Sequence, residues 1–191
     1  MMRQEAAFLF AGLTSGLGTV IAARAWPTLF PIFFVCGVGP LFFAAVFTAI
    51  VFTGSRPHLS PGWWRVVAGV CVCMGAYLFA FFTFIFVAGD SGVPASTDPN
   101  RFGADVWIGL LAAALVAAAC IEFLVYVLTG KWSNPFLLRL AAAGVVSVLV
   151  TFVADRAGHY YWTFYGILLP VGESLFCWLI GAQIWRSSPQ A

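Results

Sequence analysis

Two glutamates stand where carboxyl groups are costly. Glu173 sits in LLPVGESLFCWLIG (168–181) and Glu122 in ALVAAACIEFLVYVLTG (114–130). No Lys or Arg lies at the same depth in these apolar runs. A lone carboxylate in an apolar medium is strongly disfavoured, so Glu173 is expected to be largely protonated at neutral pH. A neutral carboxylic acid both donates and accepts hydrogen bonds. Three roles fit such a group. It can anchor the polar head of an apolar ligand. It can titrate in an intramembrane enzyme or a proton-coupled transporter. It can also act as glue, bonded to a hydroxyl or a carbonyl on a neighbouring helix.

The residues around each acid narrow its direction. Gly166, Pro170, Glu173, Cys177 and Gly181 recur at spacings of four, three, four and four. On a helix they form one stripe of small or polar groups, and Leu168, Leu175 and Leu179 lie off it. The stripe is expected to face other helices. Tyr126 follows Glu122 by one turn, with Ala118 and Ala119 one turn before it. Gly144, Ser147 and Thr151 make a matching line on the next segment, and their hydroxyls are candidate partners for either acid. The candidate ligand-binding set is therefore Glu173, Glu122, Tyr126, Pro170, Cys177, Pro40, Ser147 and Thr151.

Other motifs point to little chemistry. GDSGVP (89–94) is similar to the nucleophile loop of chymotrypsin-like proteases, but it lies between apolar helices. A Ser91, His159 and Asp155 triad would be defined by geometry, which residue types alone do not supply. His58 and His159 fall on opposite sides of the membrane in the topology below. With no His-x-x-His pair and no carboxylate cluster, no metal is expected, nor any other cofactor. Cys36, Cys71, Cys73, Cys120 and Cys177 all lie in apolar runs without C-x-x-C spacing, and read as small buried hydrophobes. The basic residues are too sparse for nucleic acid.

The composition says what must hold these residues. Of 191 residues, 62% are hydrophobic and 8% charged, against roughly 25% charged in an ordinary soluble domain. That excludes a soluble surface and points to an all-α, polytopic membrane protein in a single domain (1–191). Six spans can be read: Ala6 to Ala23, Thr28 to Thr53, Trp63 to Ala88, Asp105 to Thr129, Pro135 to Ala154 and Trp162 to Trp185. Connectors rich in Gly, Pro, Ser and Asp separate them, the longest being 89–104. The first segment is read as a span and not as a cleaved signal peptide, since it lacks a strongly basic start.

Charge sets the orientation. With both termini cytoplasmic, Arg3, Arg56, Arg65, Lys131, Arg139 and Arg186 fall inside, and Arg24, Arg101 and Arg156 outside. This split satisfies the positive-inside rule. Trp63, Trp64, Trp107, Trp132, Trp162 and Trp185 mark span ends as an aromatic belt. Gly12 and Gly16, with Ser15 and Thr19 beside them, suit close helix packing in the first span. Pro40, in CGVGPLFF (36–43), should kink the second span. Small-residue faces make a homo-oligomer an expected partner state.

Short pieces in order resemble the insulin-induced gene (Insig) family. Leu29-Phe30-Pro31 is similar to its LFP, and Val38-Gly39-Pro40 to its VPP. His58-Leu59-Ser60-Pro61 followed by Trp64 is similar to its HLGEP and following Trp. Leu169-Pro170 matches its LP and Ile180-Gly181 its terminal IG. The pieces span most of the chain, and each is short. The loop TGKWSNP (129–135) lacks the acid of the animal DRSRSG-like loop, which puts sterol-sensing protein partners in question. The distance from Pro170 to Ile180 is also shorter than the family pattern. The resemblance implies a bacterial-type relative with six spans, cytosolic termini and lipid binding. Together with the buried acids it leads to one expectation: a non-catalytic protein that holds a lipid or sterol-like ligand in an intramembrane cavity. An enzyme or proton-coupled transporter using Glu173 is the alternative.

Overall fold

The computed structural model describes residues 2–25, 43–45, 63–88, 103–157 and 167–187. Regular structure among them is entirely helical: α1 (Met2–Ala25), α2 (Trp63–Ala88), α3 (Ala104–Thr129), α4 (Asn134–Arg156) and α5 (Leu169–Ser187). These are the first, third, fourth, fifth and sixth spans read from the sequence, with ends shifted by a few residues. The second span, with Pro40, lies outside the described residues apart from a helical piece at 43–45. The segments Gly69–Ala88, Ala104–Val127 and Asn134–Arg156 are long and apolar enough to cross a membrane. An all-helical fold with such segments suits a membrane-embedded protein. Large apolar side chains cover its outside, among them Phe10, Ile21, Phe79, Phe82, Phe86, Leu138 and Val153.

The α3–α4 corner shows why the chain turns where it does. Gly130 adopts φ 71°, and its N–H caps the Tyr126 carbonyl. A left-handed residue at that position ends a helix, and glycine takes it without steric cost. Ser133 then sits at the N-cap of α4, whose first turn contains Pro135. Proline belongs there because the first turn leaves its N–H groups without helical partners.

The helices fall into two tightly packed units. In one, α1 lies against α5. A Cβ added to Gly12 would come within 2.6 Å of the Ser174 Cα, and one added to Gly16 within 2.7 Å of the Pro170 nitrogen. Only glycine allows such an approach, so the Gly12–Gly16 pair packs helices together. In the other unit, α2 lies along α3 and α3 along α4. Gly109 meets Phe84 and Ala88, and Gly144 meets Ala114. The α4–α5 contact joins the units and is the least extensive of the four main helix pairings among the described residues.

Two apolar clusters sit at opposite ends of the bundle. One gathers Phe8, Phe43, Cys73, Ile121, Leu124, Phe136, Leu140, Cys177 and Ile180, from every described helix. The other centres on Trp107, Leu110 and Val148, with Phe84, Phe152 and Leu168 against it. Trp107 and Phe152 meet edge to face at 5.0 Å, and Arg156 stacks over Phe152. These pairings place the starts of α1, α2 and α4 at the same end as the finishes of α3 and α5.

Candidate functional site

A cavity of about 210 Å³ lies between the two clusters. Its wall is overwhelmingly apolar, with Phe43, Phe81, Phe84, Leu110, Val148 and Phe176 among the lining residues. Four polar side chains reach it: Thr19, Tyr77, Ser147 and Glu173. All five helices contribute to the wall.

Glu173 is the polar centre of this wall. It is 4% exposed, and its Oε1 accepts a hydrogen bond from the Tyr77 hydroxyl at 2.5 Å. Tyr77 belongs to α2 and Glu173 to α5, so the bond links two lining residues on helices that share no extensive packing among the described residues. The Tyr77 ring leans on Phe43, with centroids 6.0 Å apart. Ser15 of α1 also lies near the same carboxyl. Even so, Ser15 Oγ and Glu173 Oε2 are both buried without completing a hydrogen bond among the described residues. An unpartnered buried oxygen is an uncommon, high-energy feature.

The other hydroxyls are occupied locally. Thr19 donates to the Ser15 carbonyl at 3.0 Å, and Ser147 donates to the Ala143 carbonyl at 2.8 Å. Thr151 donates to the Ser147 carbonyl at 2.7 Å. These back-bonds within one helix are the usual refuge of a hydroxyl in an apolar medium. Their line on the helix predicts Ser147 and Thr151 as partners for a glutamate, and the partner of Glu173 is instead Tyr77. Tyr77 had a signal in the sequence: it is a lone tyrosine at the centre of an otherwise apolar span.

The remaining candidates take other places. Pro170 is buried beside Gly16, follows a π turn at Ile167 and Leu168, and accepts the Ser174 hydroxyl at its carbonyl. Cys177 is fully buried in the cluster one turn beyond Glu173. The stripe on the last span therefore faces inward at Pro170, Glu173, Cys177 and Gly181, with Gly166 outside the described residues. Neither Pro170 nor Cys177 lines the cavity, and neither do Thr151, Glu122 and Tyr126. Pro40 lies outside the described residues.

Glu122 has a local explanation. It is wholly buried, and its Oε1 accepts the Ser133 backbone N–H at 2.6 Å. The carboxyl thus ties the end of α3 to the N-cap of α4, where helix N–H groups need acceptors. Tyr126, read on the same face, points outward at 42% exposure and packs with Phe123 and Trp132. Four residues advance a helix by slightly more than one turn, enough to carry Tyr126 out of the corner that encloses Glu122. Glu122→Leu is expected to cost about 1–2 kcal/mol by stranding the Ser133 N–H, and Glu122→Gln, which keeps an acceptor, about half of that or less. Thermal unfolding in detergent micelles tests this, and equal losses in both variants would contradict the capping role.

No group of three or more His, Cys, Asp or Glu residues among the described ones could hold a metal ion. The described cysteines, Cys71, Cys73, Cys120 and Cys177, are free thiols. Comparison with family models, curated proteins and solved structures finds no match.

Proposed function

We propose that this chain is a non-catalytic membrane protein with six spans that holds a lipid or sterol-like ligand in the cavity between its helices. The observation that carries the reading is an apolar cavity between the helices with one buried carboxyl on its wall, an oxygen of which has no partner among the described residues. Apolar pockets with a few placed polar groups are the usual anatomy of small-ligand sites. At about 210 Å³ the space is below the roughly 300–1,000 Å³ of drug-sized pockets, which suits one acyl chain or a ring edge. The lipid's polar head would bond Glu173, with Ser147 and Thr19 beside it.

The charge pattern favours an orientation with both termini cytoplasmic, in a bacterial inner membrane. The bundle supports termini on a common side, since α1 begins and α5 finishes at the same end. The ordered short pieces that resemble Insig proteins agree with the same reading, and small-residue faces leave a homo-oligomer open as its assembly. Mass spectrometry of lipid extracted from gently purified protein tests the function. Wild type should carry a lipid in near-stoichiometric amount, and Glu173→Leu should lose it, whereas Glu122→Leu should retain it. Solute flux in liposomes that depends on pH and vanishes in Glu173→Gln would replace this reading with the transporter alternative.

A further inference from the structure

Helix packing does not explain Gly172. Gly12, Gly16, Gly109 and Gly144 each stand where an added Cβ would come within 3.1 Å of a neighbouring helix, so their small size is what lets the helices meet. A Cβ added to Gly172 meets only Ser147, whose Oγ would stand 3.6 Å away, an ordinary contact. The backbone does not call for glycine there either, because among the described residues only Gly130 has a positive φ. A glycine inside a helix is destabilising relative to alanine, since it gives up more backbone freedom on folding. Nothing in the local fold of α5 offsets that cost.

The cavity supplies the missing reason. Gly172 lines it directly before Glu173, and Ser147 faces the same spot from α4. The space that a side chain at 172 would fill is therefore part of the cavity, next to its carboxyl. Glu173 is 4% exposed, and its Oε2 has no partner among the described residues. A guest that bonds Glu173 lays the part beside its polar head over Gly172.

We propose that Gly172 is the size-determining residue of the cavity. By carrying no side chain it holds open the space beside Glu173, and the bulk placed at 172 sets how bulky a guest fits there. The role rests on the ligand-binding reading above and names the position that selects the ligand. An unfilled apolar void weakens a fold, and a side chain at 172 fills part of this one with no backbone in its way. Stability and occupancy then pull in opposite directions at this position. A glycine kept for packing behaves otherwise, because enlarging it costs stability.

Two measurements on the full chain test this. One is unfolding in mixed micelles with rising SDS, after co-purified lipid has been stripped. The other is the lipid content of gently purified protein by mass spectrometry. Gly172→Ala should unfold at a higher SDS fraction than wild type and carry less lipid. Gly172→Leu should carry at least about tenfold less lipid than wild type, since one misfitting methylene in an apolar pocket is already worth a factor of that order. Gly75→Ala gains the same helix propensity on a site with nothing within 4 Å, and should keep its lipid. Gly144→Ala, whose Cβ would meet that of Ala114 at 3.0 Å, should unfold earlier than wild type.

Earlier unfolding of Gly172→Ala marks a packing glycine and overturns the proposal. A wild-type lipid content in Gly172→Leu overturns it too, and so does an equal loss of lipid in Gly75→Ala. Should Gly172→Leu fail to fold, Gly172→Ala decides the matter by both readings. A wild type without lipid would remove the proposed function. The unfolding of stripped Gly172→Ala would then still decide whether residue 172 holds the void open.

Discussion

Gly16→Leu is expected to cost the folded protein about 3 kcal/mol, the upper end of what overpacking does. A Cβ at Gly16 would meet the Pro170 backbone nitrogen at 2.7 Å, and backbone in a packed helix cannot rotate aside as a side chain can. The whole of α1 would have to lift from α5, taking Ser15 away from Glu173 and Thr19 away from the cavity wall. Gly75 supplies the comparison, because a Cβ there meets nothing within 4 Å. Gly75→Ala should leave stability unchanged or raise it by up to about 1 kcal/mol, the helix-propensity difference. Unfolding in mixed micelles with rising SDS measures both. If Gly16→Leu unfolds with wild type, the glycine seam between α1 and α5 is not what holds the pair.

Glu173→Leu is the second large effect, and it separates structure from binding. The substitution strands the part-buried Tyr77 hydroxyl, for a loss of about 1–2 kcal/mol. Adding Tyr77→Phe removes the stranded donor, so the double variant should recover most of that stability. A coupling energy of about 1–2 kcal/mol is expected from the full cycle, as for residues in direct contact. Bound lipid should behave differently: absent in Glu173→Leu and still absent in the double variant. If lipid returns together with stability, Glu173 is a packing group and not an anchor. If stability does not return, the Tyr77–Glu173 bond contributes little.

The helices were legible in the sequence because lipid-facing spans are long, apolar and bounded by Gly, Pro and Trp. The ends of α2 coincide with those expected, and Gly130 marks the end of α3 by its own chemistry. The inward stripe of α5 followed from helical spacing alone, since Pro170, Glu173, Cys177 and Gly181 are all buried. Partners were harder. Periodicity says which face of a helix is buried, but not which helix it meets. Ser147 and Thr151 drew attention as hydroxyls in line, yet each satisfies itself within α4. Tyr77 is 96 residues from Glu173 in the chain, and no local spacing connects them. As acids in apolar runs, Glu122 and Glu173 read alike in the sequence as ligand groups. Its real partner is a backbone N–H in the following turn, a kind of contact that leaves no mark on residue type.

The back-bonded hydroxyls have a consequence for what the cavity can recognise. Thr19 and Ser147 each direct a proton to a carbonyl of their own helix, and Tyr77 directs its proton to Glu173. Among the described lining residues, then, the hydroxyls offer lone pairs but no free proton, and the Cys73 thiol is only a weak donor, unless Glu173 itself carries a proton. With Glu173 ionised, the cavity favours guests that give a hydrogen bond, such as alcohols, and has only that weak thiol to offer a ketone or an ester. With Glu173 protonated, the same cavity can also bind a carbonyl. One titratable atom pair on α5 thus decides whether the guest must be a donor, and chemical selectivity becomes a function of a single proton.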